Sequence, residues 1–185
     1  MSQTLRLAEQ LIARPSVTPD DAGCMDVIMA QLKPLGFACE VIESGPADFR
    51  VRNLWAQRPG SSGKTLAFAG HTDVVPTGPL DQWSSDPFTA TERDGRIYGL
   101  GSADMKSFFA LILEAAAQFR IQDLQRPLVL LGTADEESSM SGARQLLMQN
   151  RQLGRQAVIG EPTGLKPIRM HKGVMMESIT LRGQA

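Results

Sequence analysis

The sequence predicts an α/β protein, a layered and mostly parallel sheet with helices on both faces. Three observations carry this. Short β-like runs alternate with segments of helical apolar period. Several runs are apolar along their whole length, as strands covered on both faces are. Three of the runs end in acids or a histidine, where ligands of open α/β sheets bind. At 185 residues and 42% hydrophobic content, the chain is long enough for one domain whose core needs no disulfide scaffold.

In chain order, Leu5, Ala8, Leu11 and Ile12 recur at helical spacing, and Pro15 stops that helix. Met25, Ile28, Met29 and Leu32 form a second stripe, closed by Pro34 and Gly36. β-like runs follow over 37–42, 51–56 and 65–69, with a turn-rich loop over 58–64. From Asp104 onward, Phe108, Phe109, Leu111, Ile112, Ala115, Ala116 and Phe119 make a strongly apolar helix. Pro127 opens a buried strand over 128–132. Residues 141–150 read as a helix, 157–160 as a strand and 174–181 as a last strand. Met25, Met29 and Met148 sit at core spacing and read as core filler.

Nineteen Lys and Arg against 20 Asp and Glu leave a net charge of −1, so there is no basic footprint for nucleic acid or an anionic membrane. No apolar stretch is long enough to span a bilayer, and the first residues lack a secretory pattern. Cys24 and Cys39 form no CxxC or metal-finger spacing, which fits reduced thiols and a cytoplasmic location.

The polar chemistry collects at strand ends. Residues 66–70 run into His71-Thr-Asp73, residues 128–132 into Thr133-Ala-Asp-Glu-Glu137, and residues 157–160 into Glu161-Pro162. If these strands are parallel neighbours, His71, Asp73, Asp135, Glu136, Glu137 and Glu161 crowd one edge. Asp104, after a glycine turn, joins them. So many carboxylates repel unless some are protonated or a cation sits among them. One imidazole with several carboxylates suits Zn²⁺, Mn²⁺ or Co²⁺, and a carboxylate-bridged pair of ions about 3.5–4 Å apart absorbs the charge best. Each residue also has a plain reading. Asp104 would cap the following helix, the 135–137 acids would favour a helix start, and His71 or Glu161 alone would be ordinary. Gly99-Leu-Gly101 lacks the third glycine of a dinucleotide fingerprint, and Ser138-Ser-Met-Ser141 is no nucleophile elbow. His171 reads as a loop residue, with substrate contact as its functional alternative.

His71-Thr-Asp-Val-Val-Pro76, Tyr98-Gly-Leu-Gly-Ser-Ala-Asp-Met-Lys106, Thr133-Ala-Asp-Glu-Glu137 and Gly160-Glu-Pro162 resemble motifs of the acetylornithine deacetylase and succinyl-diaminopimelate desuccinylase family. The resemblance implies the N-terminal part of a zinc aminopeptidase-like catalytic domain over 1–175. Residues 176–185 would begin a connection to a lid and dimerisation domain. It implies two Zn²⁺ per complete site, with Co²⁺ or Mn²⁺ as alternatives, and an N-acylated amino acid as substrate. Neither nucleic acid nor membrane is an expected partner, and the full-length protein is expected to be a homodimer. By position, His71 and Glu161 would hold one metal, Glu137 the other, and Asp104 would bridge them. Glu136 would be the general base, and Asp73 would orient His71 through its second ring nitrogen. A cis peptide is expected after Asp104.

The first half resembles the desuccinylase at residues 14–24, 53–56 and 83–85. The second half resembles the deacetylase at 99–109, 135–144 and 167–173, where His171-Lys172 stands in place of an Arg-Arg pair. The expected activity is therefore deacetylation of acetylornithine in arginine biosynthesis. Desuccinylation in lysine biosynthesis and a non-catalytic metal-binding half-domain are the alternatives. Family members are roughly twice this length, so these residues alone are expected to hold at most one well-occupied metal and to turn over little.

Overall fold

The helices form where apolar residues recur every three or four positions. In the computed structural model, which describes residues 2–47, 49–149, 151, 153–170, 173 and 177–183, the first is α1 (Gln3–Ile12). It buries Leu7, Ala8, Leu11 and Ile12, and the Ser2 hydroxyl caps it by accepting from the Leu5 amide at 3.2 Å. α2 (Cys24–Leu32) buries Cys24, Met25, Ile28 and Leu32, and one tight turn over Lys33–Leu35 ends it at Gly36.

A mixed five-stranded sheet follows. β1 (Ala38–Ser44) and β2 (Val51–Arg58) pair antiparallel, because a short loop can only return the chain alongside itself. β3 (Leu66–His71) lies parallel to β6 (Leu128–Thr133) on one side and to β7 (Gln156–Ile159) on the other. β2 meets β6 antiparallel, so the order is β1-β2-β6-β3-β7. The layered α/β architecture is as expected, with parallel pairing confined to the half formed by β6, β3 and β7.

Alternate strand residues serve the two faces. Leu54, Ala56 and Leu130 pack with Leu11, Met25, Ile28 and Phe109, the last from α3 (Lys106–Ala117). Trp55, Ala67, Val129 and Leu131 pack on the other face with Leu146 of α4 (Ser141–Met148). Helices therefore cover both faces. Met148 does not fill the core as expected. It sits at the outer end of α4 and is exposed, while Leu146 turns inward.

Two differences from the sequence reading concern strands. A small hairpin of β4 (Thr91–Arg93) and β5 (Arg96–Tyr98) stands beside the elements that the sequence predicts. Its signal is Asp94-Gly95, which supplies two consecutive positive φ values, 53° and 70°. Of the strand expected over 174–181, residues 174–176 lie outside the described residues, and 177–181 are exposed and form no strand among the described residues. Alternation alone makes no strand without a neighbour to pair with.

Arg58 joins β2 to the far end of α3. Its guanidinium is buried and donates to the Ala116 carbonyl at 3.0 Å, which also accepts the Phe119 amide at 3.3 Å, and to the Phe119 carbonyl at 2.6 Å just past the helix end. Arg58→Met keeps the stem but removes both donors. It should lower unfolding stability by about 2 kcal/mol in urea titration. An unchanged midpoint would contradict this role.

Candidate metal centre

The parallel strands carry the polar residues to one edge. In register, His71 at the end of β3 lies opposite Thr133, the last residue of β6, and Ala69 lies opposite Ile159, the last of β7. The Gly160 amide continues the ladder by donating to the Ala69 carbonyl at 3.3 Å, which leaves Glu161 level with His71. Gly160 has to be glycine here, because a Cβ would meet the Phe108 ring at 2.1 Å. Asp104 arrives from the turn after β5. α3 begins only at Lys106 with no side-chain cap, so Asp104 does not cap the helix but faces His71. The Asp104–Met105 peptide is cis, as the resemblance implied.

His71 is 1% exposed and sits at the centre of the cluster. Its Nδ1 donates to the Asp73 backbone carbonyl at 2.9 Å, which turns Nε2 toward the acids. Nε2 lies 3.0 Å from Asp104 Oδ1, 3.7 Å from Glu161 Oε1 and 3.9 Å from Glu136 Oε2. Donor atoms of His71, Asp104 and Glu137 lie within 4.8 Å of one another, as do those of His71, Glu136 and Glu161. The structure thus brings together His71, Asp104, Glu136, Glu137 and Glu161.

These groups perturb one another strongly. Burial pushes the Glu137 carboxyl up, with Asp104, Glu136 and Asp73 adding to the rise and His71 opposing it. Glu161 is raised by burial and by Asp104 and Glu136, again against His71. Burial would lower His71, but the Asp73 carbonyl and the carboxylates of Asp73, Glu136 and Glu161 outweigh it and raise the imidazole. An imidazole nitrogen that faces three carboxylates needs a positive charge between them. A divalent cation supplies it, and oxygen donors with one imidazole suit Zn²⁺. The residues present fit such an ion.

Asp73 meets the second ring nitrogen of His71 through its backbone carbonyl. Its carboxylate stands 3.6 Å from Nδ1 and instead accepts from the Glu137 amide at 3.2 Å, leaving Oδ1 buried without a hydrogen-bond partner. Asp135 is not one of the crowded acids. Fully buried with φ 63°, it accepts from the hydroxyls of Ser138 and Ser139, and from the Ser141 hydroxyl at 2.6 Å and amide at 3.0 Å. Burial alone would raise Asp135, but these donors hold it at about 2. It secures the loop leading to α4. The serines three, four and six residues after an acid, just before a helix, are the signal for that role. Glu136 and Glu137 precede α4 by more than a turn, so they do not serve its dipole.

Buried polar residues beneath the site were missed. Asn53 on β2 accepts from the Ala134 amide at 3.4 Å, where the acidic loop begins. Ser16 and Lys106 are also fully buried. A lysine at the head of an apolar helix was the available signal for Lys106. His171 and Lys172 lie outside the described residues.

The sequence profile of peptidase family M20/M25/M40 matches residues 67–176. Succinyl-diaminopimelate desuccinylase of Acidovorax ebreus (strain TPSY) is 48% identical over 201 residues, covering 99% of this chain and 51% of that protein. The protein of the same name from Verminephrobacter eiseniae (strain EF01-2) is 50% identical over 183 residues, covering 90% and 46%. The chain spans about half the length of these curated relatives. Among solved structures, human carnosine dipeptidase 1 superposes with TM-score 0.75 at 24% identity, over 84% of this chain and 38% of that one. The Bacillus cereus aminopeptidase PepT superposes with TM-score 0.65 at 21% identity, over 85% and 42%. Both show the same fold.

Asp104→Ala removes the carboxylate nearest Nε2. It should weaken Zn²⁺ or Co²⁺ binding at least 100-fold in calorimetric titration without unfolding the chain. Undiminished affinity would place the ion elsewhere.

Proposed function

From the premise that the chain belongs to peptidase family M20/M25/M40, we propose that it carries the hydrolytic metal centre of an amidohydrolase acting on succinyl-diaminopimelate. The observation that carries this reading is His71 Nε2 ringed by Asp104, Glu136 and Glu161 within 3.9 Å, each from a different part of the fold. The deacetylase expectation rested on residues 99–109, 135–144 and 167–173, above all on His171-Lys172-Gly173. The curated relatives named above bear the desuccinylase name, which favours the alternative over acetylornithine.

In this reading His71 and Glu161 would hold one ion, Glu137 would hold a second, and the Asp104 carboxylate would be a ligand available to both. When bound, the ions supply an acidified water and a polarised amide carbonyl. The Glu136 carboxylate accepts the proton that the water loses as its oxygen bonds to the carbonyl carbon. As the carbon–nitrogen bond breaks, Glu136 returns that proton to the departing amine, so atoms and charge balance. Asp73 keeps Nε2 aimed at the site by accepting from Nδ1 through its carbonyl, and it fixes Glu137 through the amide bond. A cytoplasmic location accords with two free cysteines, one of them buried. No described helix is long and apolar enough to cross a membrane.

The test is product release by the zinc-loaded protein. Succinate should leave succinyl-diaminopimelate at least ten times faster than acetate leaves acetylornithine. Glu136→Gln should abolish release while retaining metal, since an amide cannot accept the proton. A preference for the acetyl substrate would overturn the substrate assignment. Turnover by the Gln variant would overturn the base.

A further inference from the structure

We infer that Lys106 is a positioning residue for the metal centre: its buried ammonium, bound to the Arg14 carbonyl, ties the peptide that carries Asp104 to the one that carries His71. The inference rests on the metal-centre reading above and adds a residue that touches neither ion nor substrate.

Lys106 is fully buried at the start of α3, two residues after Asp104. Burying an ammonium is costly unless strong acceptors meet it. Its Nζ donates to the Arg14 carbonyl at 2.6 Å. Arg14 opens a segment laid along the residues that follow His71. The Ser16 hydroxyl donates to the Thr72 carbonyl at 2.6 Å. The Val74 amide donates to the Ser16 carbonyl at 2.8 Å, and the Thr18 amide to the Val74 carbonyl at 2.9 Å. Val17 and Val74 form a parallel bridge. A pull on Arg14 is therefore a pull on Thr72 to Val74, which orient the imidazole.

The lysine stem anchors the other side. The Lys106 amide donates to the Gly101 carbonyl at 2.9 Å. Gly101 has φ 79°, and a Cβ there would lie 2.8 Å from Val74 Cγ1 and 2.9 Å from Lys106 Cδ. The glycine turn, the stem and Val74 thus meet without a gap, and that turn leads directly into Asp104. One side chain spans the three peptides that set the distance between His71 and Asp104.

Co²⁺ titration of the 185-residue protein, followed by its visible absorption and alongside thermal melting without metal, tests this. Lys106→Met keeps the stem and loses the charge and donor. It should weaken Co²⁺ binding about 10- to 100-fold and alter the absorption bands, as loss of an outer-sphere support does. Lys106→Arg, which keeps a donor and the charge, should recover part of the affinity. Ser16→Ala cuts the same relay one step later and should show a smaller loss, which keeps the test decisive should the Met variant fail to fold. A lower melting midpoint with unchanged affinity and spectrum would mean a purely structural lysine and overturn the inference. So would wild-type affinity in a folded Met variant, or in Ser16→Ala where the Met variant does not fold. Absence of Co²⁺ binding by the wild type would instead overturn the metal-centre reading beneath it.

Discussion

Negative charge is concentrated around one buried imidazole, and the rest of the structure answers to that fact. Asp104, Glu136, Glu137 and Glu161 share one small volume with His71. In water such groups would separate, because like charges at these distances raise each other's proton affinity. Here the backbone forbids separation. β3, β6 and β7 run parallel and side by side, so whatever follows each strand emerges at the same edge. The upward shifts of Glu137 and Glu161 are the electrostatic consequence. A divalent cation relieves it most completely.

Holding such a cluster requires a rigid frame, built from buried polar groups that each satisfy backbone atoms. Asp135 gathers three serine hydroxyls and an amide, fixing the loop that presents Glu136 and Glu137. Asp73 receives the Glu137 amide on its side chain and the imidazole on its carbonyl. Lys106 reaches under the site to Arg14. Hydrogen bonds of this kind are weak one at a time, but each keeps a buried group from being orphaned, which makes their loss costly. Functional precision thus depends on residues that do not face the substrate.

Much of this was legible in the amino-acid order. Apolar runs ending in His71, in the 135–137 acids and in Glu161 locate the edge, because strand ends are where parallel sheets expose side chains. What was hidden depends on pairing and on rotation about single bonds. Ile179 and Leu181 alternate like a strand but pair with no strand among the described residues. Asp135, Glu136 and Glu137 look alike in sequence, yet a left-handed backbone at Asp135 sends that side chain to the serines and away from the cluster. Asp73 offers a carbonyl and a carboxylate, and it is the carbonyl that accepts from the imidazole. Met148 has the right spacing but falls where α4 leaves the sheet. The choice of acyl group was read from residues at 171–173, too few to outweigh similarity spread along the chain.

X-ray absorption at the zinc edge, on protein loaded with zinc and freed of excess metal, probes the ion's own neighbours. The account predicts a shell of nitrogen and oxygen donors at about 2.0–2.2 Å, imidazole scattering from His71, and no sulfur. A shell containing sulfur, or protein that retains no zinc, would contradict it.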